Sequence, residues 1–230
     1  MIEGKSKTMQ EGPDCGTLIM RFKDTATAFN GEKKEEISGK GRLNAAISNL
    51  IYDYLEQNGI ETHLIEVIDD TTVLVKKAEI VMVEVIVRNA SAGSFSKKYG
   101  SAEGSSLNNT VVEFCVKDDK LGDPMINKSQ ITALGIATEE ELEDMIQMSL
   151  RINRLLCGLF ERAKIRLIDF KLEFGRLGGK IILCDEISPD SCRLWDMDSN
   201  EKMDKDLFRQ DIGNIADSYK NILRRLQNDR

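Results

Sequence analysis

The chain has 230 residues, 41% hydrophobic and 31% charged, with 32 Lys and Arg against 39 Asp and Glu for a net charge of -7. That length buries a substantial core, as one large domain or as a small lobe plus a larger one, and the composition excludes a disordered or fibrous chain. The acidic balance argues against a nucleic-acid surface, which draws its affinity from clustered Lys and Arg, and leaves open a local basic pocket for a small phosphorylated ligand.

No apolar run approaches the length of a bilayer-spanning helix, and Met1-Ile2-Glu3-Gly4-Lys5-Ser6-Lys7 lacks the apolar centre of a signal peptide, so a cytoplasmic location is expected. The five cysteines, Cys15, Cys115, Cys157, Cys184 and Cys192, show none of the close pairs of zinc sites and read as reduced, mostly core thiols. The single histidine, His63, falls at what reads as a strand start and is expected to be structural. Chemistry must then come from carboxylates, Lys and Arg.

From the N-terminus, Glu3-Gly4-Lys5-Ser6-Lys7 reads either as a frayed charged end or as a segment whose glycine lets backbone amides approach phosphate, with Lys5 and Lys7 pointing the same way. A Gly12-Pro13-Asp14 turn leads into a strand from Thr17 to Phe22, followed by a polar connection with a turn at Asn30-Gly31. Ser38-Gly39-Lys40-Gly41 precedes a helix whose Leu43, Ala46, Ile47, Leu50, Ile51, Tyr54 and Leu55 keep helical spacing up to Asn58-Gly59, and it does not fit a Walker loop. Strand-like runs follow over His63 to Ile68, Thr72 to Lys76 and Ile80 to Val87. The last is nearly all β-branched, as a central strand or a crossover between lobes, and a lobe boundary is placed near its start.

Arg88-Asn89-Ala90-Ser91-Ala92-Gly93-Ser94 is either a phosphate cradle built from exposed amides and a guanidinium or a surface loop. Val111 to Lys117 reads as a strand and Asp118 to Pro124 as an acidic turn. Ser129 is expected to cap a short helix ending before Gly135, and Thr138-Glu139-Glu140-Glu141 is a capping box for a long helix carrying Leu142, Met145, Ile146, Ile152, Leu155, Leu156 and Leu159. A C-terminal helix is expected to start at Asp204 and to turn Ile212, Ile215, Ala216, Tyr219, Ile222, Leu223 and Leu226 inward, with Arg224, Arg225 and Arg230 at its negative end.

Between Ile168 and Phe174 the apolar residues occupy every second position, which sends Ile168, Phe170, Leu172 and Phe174 to one face and Asp169, Lys171 and Glu173 to the other. Gly175 to Gly179 reads as a five-residue hairpin loop, with Ile181 to Ile187 as the partner strand. In that register odd positions oppose odd positions, and Asp185 joins the charged face. Three carboxylates around one ammonium suit a magnesium nucleotide site, with a solvated sheet face as the alternative reading.

Together, Glu3-Gly4-Lys5-Ser6-Lys7, Phe29-Asn30-Gly31, Gly39-Lys40-Gly41, Val87-Arg88-Asn89 with Ala92-Gly93-Ser94, Leu121-Gly122-Asp123-Pro124, Asp169 to Gly175 and Asp185 to Asp196 resemble the phosphoribosylaminoimidazole-succinocarboxamide synthase (SAICAR synthetase) family, in order and spacing from end to end. The resemblance implies a ligase of purine biosynthesis that joins L-aspartate to carboxyaminoimidazole ribonucleotide (CAIR) with ATP and magnesium. It implies an α+β, two-lobed fold related to ATP-grasp enzymes, with antiparallel sheets, packed helices and ATP between the lobes. Residues 1–80 would form the β-rich ATP-binding lobe, and residues 81–230 the α+β lobe with the metal and nucleotide-substrate site. A homodimer is implied as well.

Carried onto this chain, the resemblance implies Lys171, Asp169, Glu173 and Asp185 as catalytic residues, with Glu173 and Asp185 holding magnesium. Lys5, Lys7, Lys117 and Asp123 would serve ATP, together with backbone near Val81, Met82 and Val83 for the adenine. Arg88, Ser94, Asp169, Arg193 and Arg209 would bind the imidazole nucleotide.

Overall fold

The computed structural model describes residues 2–28 and 31–228. In chain order the first elements are β1 (Ile2–Glu3), β2 (Lys7–Glu11), β3 (Thr17–Phe22), β4 (Thr25–Ala28), β5 (Lys33–Glu36), α1 (Lys40–Gln57), β6 (Leu64–Asp69) and β7 (Thr72–Lys76). There follow β8 (Glu79–Ala90), α2 (Gly93–Tyr99), β9 (Ser106–Val116), β10 (Met125–Ile126), α3 (Lys128–Ala133) and α4 (Glu139–Arg162). The chain finishes with β11 (Ile165–Leu177), β12 (Lys180–Cys184), β13 (Cys192–Asp196), α5 (Asp206–Gln210) and α6 (Ile215–Asn228).

The strands form two antiparallel sheets and a small hairpin. One sheet runs β1-β2-β3-β7-β6, and the second runs β10-β9-β8-β11-β12 with β13 also on β11. β4 pairs with β5 alone. β11 is the axis of the second sheet: β8 lies along one edge, and β13 and β12 follow one another along the other. Its core face carries Phe170, Leu172 and Phe174 as the alternation requires, but the register shift between Leu167 and Asp169 breaks the period there: Ile165 and Leu167 join that core, while Ile168, expected with it, is buried apart against Ala90, Ala92 and Trp195. α4 packs on that face through Met145, Ile152, Leu156 and Phe160, in a core that also takes Ile47, Ile51 and Leu55 of α1 and Tyr219, Ile222 and Leu226 of α6. Each such side chain contributes about 1.5–3 kcal/mol by leaving water.

The Thr138 capping box forms as expected: Thr138 Oγ1 accepts from Glu141 N at 3.1 Å and Glu141 Oε2 accepts from Thr138 N at 2.8 Å. Arg176 of β11 donates to both Glu141 oxygens and ties the helix start to the sheet. Its hydrogen bond, helped by the Thr138 amide and opposed by slight burial, holds the Glu141 carboxyl down at about 2. Because the unfolded chain takes up this proton first, the contribution is complete above about pH 4.5 and is lost as pH falls through about 2. Glu141→Gln is therefore expected to flatten the dependence of the urea midpoint on pH across that window, and an unchanged slope would remove Glu141 from acid unfolding.

Several sequence expectations are corrected. The short helix after β10 is capped by Asn127 with Gln130, not by Ser129. The polar connection after Phe22 contains β4 and β5, and its Phe29 and Asn30 lie outside the described residues. Arg88 to Ser94 is not a surface loop: Arg88 to Ala90 end β8, Ser91 and Ala92 are buried, and α2 starts at Gly93. The C-terminal helix is two helices, because Asp211 takes a left-handed φ of 54° and ends α5. Ile212 in the break is 56% exposed rather than inward, and Arg230 lies outside the described residues. The cysteines are all unpaired, with Cys115, Cys184 and Cys192 buried, Cys157 partly buried and Cys15 exposed.

Candidate active site

The hairpin that organises the site is tighter than its glycines suggest. β11 keeps pairing through Leu177, opposite Lys180, and the turn is Gly178-Gly179 alone. Both glycines have positive φ, 58° and 79°, which a two-residue hairpin turn of the primed type demands. The register therefore sets odd against even, with Glu173 opposite Cys184, and the partner strand ends there rather than at Ile187. By alternation Asp185 would leave the charged face. It reaches the site because it adopts φ 65° and turns the chain out of the strand. Tyr52 donates through its hydroxyl to the Cys184 and Asp185 carbonyls at 2.8 and 3.1 Å, and the ring of His63 meets Asp185 O through Nε2 at 2.9 Å. His63 is buried, and that burial lowers its pKa to about 4, so it is a neutral brace.

The charged face of β11 is enclosed, which removes the solvated-sheet reading: Asp169 and Glu173 are each 4% exposed. Across β8, Glu173 stands opposite Glu84, a like-charge pair that destabilises a sheet unless cations intervene. Lys171 supplies one, with Nζ 2.6 Å from Glu84 and 3.1 Å from Glu173, and Lys117 supplies another at 2.8 Å from Glu173. Burial opposes the charge on Lys171, but Glu173, Glu84 and Asp185 outweigh it and hold its pKa well above the ordinary lysine value. Lys7 of β2 pairs with Asp185 and Glu186. Burial alone would raise the Asp185 carboxyl, yet Lys7 and Lys171 keep it below the usual carboxylate range. The N-terminus is thus anchored: Lys7 is part-buried in a strand, and Lys5 meets Asp119 at 2.7 Å.

Toward the other end of β11 the charges invert. A register shift between Leu167 and Asp169 sets Asp169 opposite Arg193 of β13, and β8 sets Arg88 opposite the same residue. Asp169 accepts from Arg88 at 2.7 Å and from Arg193 at 2.9 Å. Arg88 continues to Glu113 at 2.6 Å, and Arg193 to Asp206 at 3.0 Å, where Arg209 also pairs. Ser94 Oγ lies 3.4 Å from Arg88 Nη2. Beneath Arg193 runs Gly93, with φ 54°, where an added Cβ would stand 2.4 Å from the guanidinium. The backbone passes this close only because no side chain is there.

These groups line one cavity of about 470 Å³. It gathers Lys5, Lys7, Arg88, Ser94, Lys117, Asp123, Asp169, Lys171, Glu173, Asp185, Arg193 and Arg209 from the sequence expectations. Val81, Met82 and Val83 are outside its lining: Val81 and Val83 point into the core, and Met82 is half exposed. The β8 register against β11 slips by two residues between Ile80 and Glu84, so the backbone there leaves regular pairing, and Met82 O accepts from Lys117 N at 3.1 Å. The sequence reading missed Glu84, Glu186, Asp190 and Lys205. Glu84 had a signal, as the one acid inside the β-branched run from Ile80 to Val87.

Among the described residues, no three acidic, histidine or cysteine side chains converge to hold a metal ion unaided. Two hard carboxylates beside phosphate-seeking ammoniums are nonetheless the donor set for magnesium, which takes one or two carboxylates and completes its shell with water and substrate phosphates. Glu173 and Asp185 fit that requirement.

The chain is similar to known proteins over nearly its whole length. The family model described as SAICAR synthetase matches residues 1–226. The phosphoribosylaminoimidazole-succinocarboxamide synthase of Clostridium novyi (strain NT) is 50% identical over 228 residues, covering 99% of this chain and 97% of that one. Among solved structures, the corresponding synthase from Ehrlichia chaffeensis superposes with a TM-score of 0.96 at 40% identity, covering 99% of this chain and 98% of that chain. A type-2 SAICAR synthetase in complex with ADP gives 0.96 at 43% identity, covering 99% and 97%.

Proposed function

The chain belongs to the SAICAR synthetase family, and from that premise we propose how its cavity divides the work of an ATP-dependent ligase that joins L-aspartate to the CAIR carboxylate, giving SAICAR, ADP and phosphate in purine biosynthesis. The observation that carries the reading is the two-ended charge pattern of one strand. Around Lys171, Glu173 and Asp185 the face is built for a metal-bound polyphosphate, and around Asp169 it is built from arginines for an anionic nucleotide.

A carboxylate resists attack by an amine because its charge repels the nucleophile and oxide is a poor leaving group. Phosphorylation from ATP converts that oxygen into part of a phosphate. The aspartate amine then adds to the carbonyl carbon, the C–N bond forms, and the C–O bond to phosphate breaks. Such phosphoryl transfer depends on positioning and charge neutralisation. In the proposed division Lys5, Lys7 and Lys117 meet ATP phosphates, Asp123 and backbone at Val81 to Val83 meet its nucleoside, and Lys171 stands between ATP and the CAIR carboxylate. Glu173 and Asp185 would hold magnesium, which when bound neutralises charge on the phosphates. Arg88, Ser94, Arg193 and Arg209 take the CAIR phosphate, and Asp169 orients the arginines or accepts from CAIR itself. ADP bound to a 43% identical relative supports the ATP assignment.

The two-lobed arrangement related to ATP-grasp enzymes, with ATP between residues 1–80 and residues 81–230, belongs to the same proposal. Its support is that the cavity draws on Gly4 to Lys7 as well as on β8 and β11. A homodimer is proposed too, supported by Ile65, Val67 and Ile68 exposed on the edge strand β6. A cytoplasmic location is supported by five unpaired thiols. No helix among the described residues is long and apolar enough to cross a membrane.

The test is ADP release with ATP and magnesium, adding L-aspartate and CAIR singly and together. Turnover that needs both, with a succinocarboxamide product by mass, is expected. ADP release with CAIR alone at the full rate would point to a kinase. Gly93→Ala provides a finer check: the new Cβ meets a guanidinium pinned by Asp169 and Asp206, so the CAIR KM should rise about tenfold, the equivalent of about 1.4 kcal/mol, with the ATP KM little changed.

A further inference from the structure

Asp190, in the loop between β12 and β13, is shared by two ammoniums. Lys40, wholly enclosed at the start of α1, donates to its Oδ2 and to Thr25 O at 3.3 Å. Tyr219 of α6 donates to Oδ1 at 2.8 Å. Lys205, just ahead of α5, stands 3.8 Å from the oxygen that Lys40 already occupies, beyond hydrogen-bonding reach. This is the only ion pair its ammonium makes among the described residues. Its backbone N–H is held by Pro189 O at 3.2 Å, so its place beside the loop does not depend on that pair.

One carboxylate cannot neutralise both the buried Lys40 and the half-buried Lys205, and the surplus faces the cavity that Lys205 lines. Burial pushes the Lys205 ammonium down to about 8, with Asp190 opposing and Lys40, Arg209 and Lys171 adding repulsion. The other cavity cations are engaged: Lys5 with Asp119, Lys7 with Asp185 and Glu186, Lys117 and Lys171 with Glu173, Arg88 and Arg193 with Asp169, and Arg209 with Asp206. Lys40 is out of reach of any ligand. An incoming anion finds its least satisfied partner at Lys205, one helical turn from Arg209.

We infer that Lys205 is the docking point for a side-chain or α-carboxylate of L-aspartate. The inference rests on the ligase reading above, in which CAIR and ATP already account for the arginines and the remaining lysines.

The experiment is steady-state kinetics of wild type, Lys205→Met and Lys205→Arg with each substrate varied in turn, together with inhibition by succinate, a dicarboxylate lacking the amine. Lys205→Met is expected to raise the KM for L-aspartate about tenfold or more and to weaken succinate inhibition in parallel, leaving the ATP and CAIR KM within about twofold. Lys205→Arg, which keeps the charge, should recover most of the affinity. An unchanged L-aspartate KM in Lys205→Met, or a rise confined to ATP or CAIR, overturns the assignment. If the wild type itself does not turn over with L-aspartate and CAIR, the ligase reading has failed instead. Calorimetric titration of succinate into wild type and Lys205→Met then decides the carboxylate site alone: weaker binding to the variant upholds it, and equal binding overturns it.

Discussion

Glu173→Gln is expected to lower kcat by about 10³-fold or more while the protein stays folded. The carboxylate is 4% exposed and anchors two ammoniums, Lys117 at 2.8 Å and Lys171 at 3.1 Å. The amide keeps the shape and one oxygen acceptor, but it removes a charge from the place proposed for magnesium and a triphosphate. Lys171 retains Glu84, and Lys117, 35% exposed, has solvent within reach, so the structural loss is smaller than for a sealed ion pair. A cost of about 1–3 kcal/mol follows, lowering the thermal midpoint by roughly 2–12 °C in a chain of this size. Circular dichroism melting beside the ADP-release assay checks both halves. Full turnover in the variant would end the assignment of Glu173 to the metal, and loss of the folded state would show that its role is structural.

How much of this could be read from the sequence follows from the range of each interaction. The alternation from Asp169 to Phe174 along β11 and the Thr138 box depend on residues a few positions apart, and both stand as the spacing predicts, whereas Ile168 leaves the pattern at a bulge that the spacing does not carry. Five residues rich in glycine read as loop, whereas the strand ends only where two successive glycines take positive φ, and the hairpin register differs by one residue for that reason. Asp185 nevertheless reached the site, for a reason no periodicity carries: a left-handed aspartate held by Tyr52 and His63. The apolar spacing from Ile212 to Leu226 reads as one helix with the residues before it, and the left-handed Asp211 that ends α5 carries no signal in that spacing. Lys40 and Asp190 are 150 positions apart, and only the fold brings them together. Local pattern therefore located the strand that bears the chemistry, while the ion pairs that tune it arise from tertiary contact.

The opposite end of β11 allows a prediction of the same weight. Arg193→Ala should raise the CAIR KM about 100-fold, equivalent to about 2.7 kcal/mol, with the ATP KM within about threefold. The guanidinium bridges Asp169 and Asp206, two buried acids on different elements, and its removal would be ruinous if either were left alone. Neither is, because Asp169 keeps Arg88 at 2.7 Å and Asp206 keeps Arg209 and Lys202. The lost interaction therefore appears mainly as lost ligand binding. Arg193→Lys separates charge from geometry: an ammonium meets phosphate as a point and cannot span two carboxylates while doing so, so it should restore only a small part of the affinity. Equal increases in both KM values would refute the division of the strand into an ATP end and a CAIR end. A selective increase would locate the nucleotide phosphate at the crossing of β11 and β13, where Asp169 holds two arginines side by side.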